Sequence, residues 1–256
     1  MRLFIALAGF AMLGSAADIS QQQAEDIVAK FAAKEAEFAK ARENYTYRQL
    51  VRVQELDDRG VPRGKYELLS DIIFSDDGKR TEKVVRAPMS TLQRIQLTPQ
   101  DEQDLRAVQP FVLTTKDIGD YYVRYLGKEK LDEVGCYAFA VKPKKMVEGK
   151  RYFAGTVWVD DQDLQIVKTY GRGVGLEKHG GDHKYPKFET YREQIDGKYW
   201  FPTYTRADDT LNFDSGPVPI KMLVKYEDYK QFKSESKITF GDEVKDDKTQ
   251  KDPKKP

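Results

Sequence analysis

Residues 45–56 read YTYRQLVRVQEL. Tyr45, Tyr47, Val51 and Val53 fall on one parity and Arg48 and Arg52 on the other, the period-two pattern of a strand with one face buried. The stretch before it has a different period. From Asp18 to Arg42, Ala24, Ile27, Val28, Phe31 and Phe38 share a helical face, with Asp18 or Ser20 available as the cap and Glu25 and Asp26 near the positive end. The apolar stripe is thin, which suits a helix lying on a sheet.

Downstream the strand period continues. DDRGVPRG is a loop, and KYELLSDIIF aligns Tyr66, Leu68, Ile72 and Phe74. Asp77-Gly78 then turns the chain into KRTEKVVR. Residues 88–109 break the pattern with two predicted helices. APMSTLQRIQL is the first; the second starts at Thr98-Pro99, where Thr98 caps and Pro99 loses no needed N–H, and runs to about Val108. Seven strand-like runs follow: DYYVRYLG, CYAFAVKP, RYFAGTVWVD, LQIVKTYG, KFETYREQI, KYWFP and IKMLVKYEDYK. VDDQDLQ reads as a tight reversal, and Asp196-Gly197 predicts a two-residue hairpin turn with both φ angles positive. In the last strand Ile220, Met222, Val224 and Tyr226 face one way, and Lys221, Lys225 and Glu227 the other.

Hairpin after hairpin implies an antiparallel sheet, and about ten strands would curl rather than stay flat. The expected fold is α+β, mainly antiparallel β: a half-open curved barrel with helices over its concave face. It forms a single domain over residues 18–240. Residues 1–17 have a short positive start, an apolar run from Leu3 to Leu13 and small residues to Ala17, the layout of a secretory signal peptide. That run is too short to span a bilayer, which takes roughly 20 residues. Residues 241–256 are a charged tail expected to be disordered.

The chain carries 43 Lys+Arg against 42 Asp+Glu, so a nucleic-acid partner, which would need a basic surface, is not expected. Cys136 is the lone cysteine, which excludes an intrachain disulfide and reads as a buried, inert thiol. KHGGDHKYP at 178–186 holds both histidines, and His179, Asp182 and His183 are the candidate metal ligands. Gly180-Gly181 between them disfavours the helix that would present an i, i+4 pair, and no glutamate follows the first histidine, so a polar loop is the preferred reading. GRGVG at 171–175 lacks the full dinucleotide spacing and reads as a bulge or loop. There is no G-x-S-x-G, and the acid pairs Asp160-Asp161 and Asp208-Asp209 sit at turns. No catalytic set and no cofactor is expected. KPKKMVEGKR at 142–151 is a solvated hairpin loop or a docking element for an anionic membrane or an acidic partner.

NYTYRQLVRVQELD behind an N-terminal helix, and YYVRYLGKEKLDEVGCYAFAVKPKK with YFAGTVWVDDQDLQIVKTYG, resemble the outer-membrane lipoprotein-sorting proteins of the LolA/LolB-like family. The resemblance covers roughly residues 20–230 and is sharpest over 121–171. It implies an incomplete antiparallel barrel with a helical lid and a hydrophobic cavity for acyl chains in transit across the periplasm. It also implies the soluble, carrier type, since no lipid-acceptor cysteine follows the cleavage region. The glycine-histidine loop and the charged tail depart from the family pattern.

The function expected from these readings is a non-enzymatic periplasmic carrier of lipid or lipoprotein acyl chains, with a membrane-bound envelope partner. The alternative is an envelope regulatory or scaffold module that binds a protein through the same fold. Face alternation nominates Val51, Val53, Ile72, Phe74, Met89, Leu92, Ile95, Met222 and Val224 as the ligand-binding lining.

Overall fold

The computed structural model describes residues 19–75, 78–106, 113–148, 150–175 and 185–231. The first element is α1 (Gln21–Ala41). Ser20 accepts from the Gln23 amide, and the Gln23 side chain returns a bond to the Ser20 N–H, so two of the amides a helix start leaves open are satisfied. Ten strands follow, interrupted once: β1 (Tyr45–Leu56), β2 (Pro62–Phe74), β3 (Arg80–Arg86), then a crossing segment that contains α2 (Pro99–Arg106), then β4 (Tyr121–Leu131), β5 (Val134–Pro143), β6 (Tyr152–Asp160), β7 (Ile166–Val174), β8 (Phe188–Gln194), β9 (Trp200–Phe213) and β10 (Gly216–Gln231).

All ten form one antiparallel sheet in the order β3-β2-β1-β10-β9-β8-β7-β6-β5-β4. Two meanders, β1–β3 and β4–β10, are zipped together where the first strand pairs with the last. Val51 lies opposite Val224 and Val53 opposite Met222, so the apolar parity of each strand lands on one inner face. The sheet does not close, and β3 and β4 are its free edges. Each edge carries a device against further pairing: Arg80, Lys83 and Arg86 on β3, and on β4 a register shift between Tyr125 and Gly127, with Gly127 at φ +135°.

The inner face has two covers. α1 lies over the β4–β7 half, where Ile27, Phe31 and Ala32 join Phe139, Val141, Phe153 and Val157, with the Phe31 and Phe139 rings 5.6 Å apart. Further along, Phe38 meets Phe201 edge-on at 5.2 Å. The crossing segment covers the β1–β10–β9 half through Leu92, Ile95, Leu97 and Leu105. Phe188 touches both clusters and marks the seam between the covers.

Three local expectations change. Residues 88–97 are not a helix but an extended strap, because their backbone groups find partners on the sheet. Thr91 donates to the Lys65 carbonyl at 2.9 Å, and the Lys65 amide donates to the Thr91 hydroxyl at 3.0 Å. Gly64 makes the close approach possible, since a Cβ there would overlap the Thr91 carbonyl oxygen. The second predicted helix does form, as α2, with Thr98 and Asp101 capping each other reciprocally. Second, Gly171 and Gly173 belong to β7 rather than to a loop. Gly171 pairs with Gly155 under the Phe153 ring, and a Cβ at Gly171 would strike the Ala154 carbonyl. Third, two turn readings move: 195–199 is a longer loop in which only Gly197 has positive φ, at +74°, and Asp208-Asp209 lies inside β9, paired with Lys221 and Ile220, rather than at a turn.

Asp196 organises that loop by accepting from the Lys198 and Tyr199 amides, each at 2.9 Å, and from the Tyr45 hydroxyl. Burial pushes its carboxyl up, but those three donors outweigh burial and hold it below the ordinary aspartate value. A folded-state value below the unfolded one gives stability that is present above about pH 4 and lost as pH falls through the folded value. Asp196→Asn should therefore lower the urea midpoint at neutral pH and flatten its fall between about pH 5 and about pH 3. A midpoint falling as steeply in the variant as in the parent would contradict this.

Candidate functional site

A cavity of about 410 Å³ opens at the seam between the two covers. Its floor is the inner face of three strands: Val53 of β1, Ile220 and Met222 of β10, and Leu211 and Phe213 of β9. Its roof is the crossing segment, through Ile95 and Leu97 of the strap and Leu105 of α2, and Phe188 of β8 closes one side. Polar groups gather at the rim. Arg151 stacks its guanidinium 4.4 Å from the centre of the Tyr185 ring. Asp101, also at the rim, already accepts from the Thr98 amide and hydroxyl at 2.9 and 2.7 Å. An apolar interior with a few polar groups is the usual make-up of a small-molecule pocket.

What holds the roof is a carboxylate. Glu55, buried at the end of β1, accepts from three consecutive strap amides: Gln93 at 2.8 Å, Arg94 at 2.7 Å and Ile95 at 2.6 Å. Arg94 adds a side-chain bond of 2.6 Å to the Pro217 carbonyl. The strap is therefore pinned over residues 91–95, and beyond it Leu97 and Leu105 pack on the sheet. Sequence reading passes over Glu55. The signal was its parity, since it points the same way as Val51 and Val53, and an acid on an inward parity needs a partner.

Val53, Ile95 and Met222 line the cavity. Val51 and Val224 are buried in the same cluster, one layer away, and Leu92 packs against the clusters below the strap. Ile72 is fully buried on β2. Phe74 lines a separate space of about 20 Å³, with Phe38 and Tyr229. Met89 does not face the interior at all: it is 92% exposed, because the strap begins outside the sheet and reaches the inner face only at Leu92. His179, Asp182 and His183 lie outside the described residues, as do residues 1–17 and 241–256. Cys136 is buried, and burial raises its thiol to about 11, the behaviour of an inert packing residue.

A larger groove of about 730 Å³ lies on the opposite face of the sheet, over Arg52, Lys187, Glu189, Arg206, Asp208 and Lys221. Much of its charge is spent internally: Glu189 pairs with Lys168 at 3.1 Å and with Arg206, Arg52 with Glu67 at 2.8 Å, and Lys221 with Asp208 at 3.7 Å. That leaves the seam cavity as the better-formed site. No helix among the described residues is long and apolar enough to cross a membrane.

Neither a family model nor a curated protein sequence matches the chain. Among solved structures it is similar to a DUF1329 family protein from Desulfovibrio piger, at 10% identity over 82% of this chain and 92% of that one, with a TM-score of 0.39. A LolA superfamily protein from Nitrosomonas europaea matches at 16% identity over 82% and 94% of the two chains, with a TM-score of 0.33. A domain from Vibrio parahaemolyticus described as an outer membrane lipoprotein-sorting protein matches at 12% identity over 78% and 92%, also with a TM-score of 0.33. Structures of the kind the sequence resembles are thus among the chain's structural matches, at values too low to carry a function across to it.

Proposed function

We propose that this protein is a non-enzymatic, periplasmic carrier that shelters one acyl chain of a lipid or lipoprotein in the seam cavity. The supporting observation is the cavity itself, an apolar space of about 410 Å³ between β1, β9 and β10 and a separately attached roof. Taking a methylene as roughly the volume of one water, ~30 Å³, the space corresponds to roughly 14 methylenes. That is about the length of one acyl chain. The driving force is transfer of methylenes out of water, about 0.8 kcal/mol for each one buried. Entry is at the Arg151–Tyr185 rim, and the α2 end of the roof yields while Glu55 keeps the strap in place. Release would be the same movement reversed, which requires no reaction at the protein.

Native mass spectrometry of the exported chain, purified without detergent, tests this directly: a lipid-sized adduct that leaves on mild activation is the expected result. A bare polypeptide that holds a protein partner instead would favour the regulatory or scaffold module. For a quantitative version, a fluorescent fatty-acid probe should bind the parent, and Leu105→Glu should weaken it by tenfold or more, since a charge would then face the apolar interior. Met89→Glu, at a position that is exposed and away from the lining, is the matched control and should leave the affinity unchanged. Equal affinities for the parent and Leu105→Glu would remove the cavity as the binding site.

A further inference from the structure

The loop between β5 and β6 is basic, apolar at its tip and attached to the cavity rim. Lys142, Lys144 and Lys145 are exposed, and Glu148 is the one acid within 142–151. Between the lysines and Glu148 come Met146 and Val147, 37% and 53% exposed. Tyr122 of β4, 55% exposed, stands beside two of the lysines, with the Lys142 and Lys144 ammonium groups 5.6 and 5.8 Å from its ring centre. Strand register puts Tyr122 opposite Lys142 and Arg124 opposite Ala140, so Tyr122, Lys142 and Arg124 share one face of the sheet edge. Lys150 is spent on Asp120, at 2.9 Å. The chain then reaches Arg151, which lines the cavity.

Two neighbouring apolar side chains held in water cost free energy that a solvated loop has no reason to bear. Cations flanking an exposed aliphatic pair and a tyrosine make up the composition that suits a lipid interface, where the apolar tip enters and the lysines meet phosphate. An acidic patch alone would satisfy the lysines and leave Met146 and Val147 in water, whereas an anionic bilayer supplies phosphate and apolar depth side by side. We infer that the 142–148 loop, with Tyr122 and Arg124, seats this protein on an anionic bilayer surface. In that position Arg151 and the cavity mouth are next to the headgroups. The inference goes beyond the carrier reading, since the loop would dock whatever the cavity holds.

Co-sedimentation of the purified chain with vesicles tests it, at roughly 0.15 M salt so that only close contacts survive screening. The chain should pellet with phosphatidylcholine vesicles containing phosphatidylglycerol and stay in the supernatant with phosphatidylcholine alone. Each lysine near the surface is worth roughly fivefold in partitioning, so Lys144→Glu with Lys145→Glu should reduce it by about 25-fold or more. Met146→Ser with Val147→Ser, which leaves every charge in place, should also lower pelleting sharply. Neither pair is in the hydrophobic core, and fatty-acid probe binding in solution should be unchanged in both, which separates a failure of docking from a failure of the cavity. No pelleting of the parent with anionic vesicles would overturn the inference. So would loss in the lysine variant with full binding by the Met146→Ser, Val147→Ser variant, since bare charge attraction would then suffice.

Discussion

Glu55→Ala should cost this protein about 3 kcal/mol or more of unfolding free energy, an unusually large effect for a residue at the end of a strand. Three strap amides lose their acceptor at once, and at least the Ile95 bond is buried, so water cannot simply replace the carboxylate. An orphaned buried donor carries its full desolvation penalty, about 1–3 kcal/mol. Glu55→Gln should fall between the two, because a single amide oxygen can serve two of the three donors but without the strength a charged acceptor gives. The urea midpoint measures the total. Hydrogen exchange locates it: protection at Gln93, Arg94 and Ile95 should collapse in Glu55→Ala while the β4–β7 half stays protected. The fatty-acid probe should weaken in parallel, since Ile95 and Leu97 of the released strap line the cavity. Unchanged protection of those three amides would mean that the strap is held by its apolar contacts alone.

The strap also shows where pattern reading of the chain succeeds and where it stops. Strands and their inner faces were legible because a two-residue period tied to burial leaves little choice: Tyr66, Leu68, Ile72 and Phe74 face inward together, as do Ile220, Met222, Val224 and Tyr226. The first helix, read over Asp18–Arg42 and found at Gln21–Ala41, was legible from its 3.6-residue stripe, with Ser20 one of the two caps the sequence offered, and the start of α2 was legible from Thr98-Pro99. Residues 88–97 were not. Their apolar spacing is compatible with a helix, and what decides against one is a set of acceptors contributed from far along the chain, by Glu55, Lys65 and Pro217. No local window contains that information. The lining was legible by face but not by depth, so Val53, Ile95 and Met222 meet the cavity while Val51 and Val224 are sealed beside it. The β8–β9 loop follows the same logic. Asp196 and Gly197 carry a strong local turn signal, but the Tyr45 hydroxyl and two amides claim the Asp196 carboxylate and a longer loop results.

Arg192→Met and Glu35→Leu should each destabilise the protein by about 3–5 kcal/mol, and the two together by far less than the sum. These side chains form a two-pronged pair, with guanidinium–carboxylate distances of 2.8 and 3.1 Å, and both are buried between α1 and β8. The Arg192 guanidinium also lies 5.1 Å from the centre of the Phe38 ring on the same helix. Removing either partner leaves the other charge in a site with little water, which is the costly event; removing both leaves two apolar groups in an apolar place. Glu35 interrupts the stripe formed by Phe31 and Phe38, and Arg192 shares its inward parity with Thr190, so each is a charge where the pattern asks for an aliphatic residue. Two such violations that meet at one point act as a register key: α1 slid by a turn would bury Glu35 with no partner, while its apolar residues would lose comparatively little. A double-mutant cycle on urea midpoints gives the coupling energy, and the double variant should recover most of the loss while tolerating α1 in more than one seat, seen as weaker hydrogen-exchange protection along 21–41. Strict additivity of the two single losses would show that each charge is held by its own surroundings and that the pair does not fix the helix.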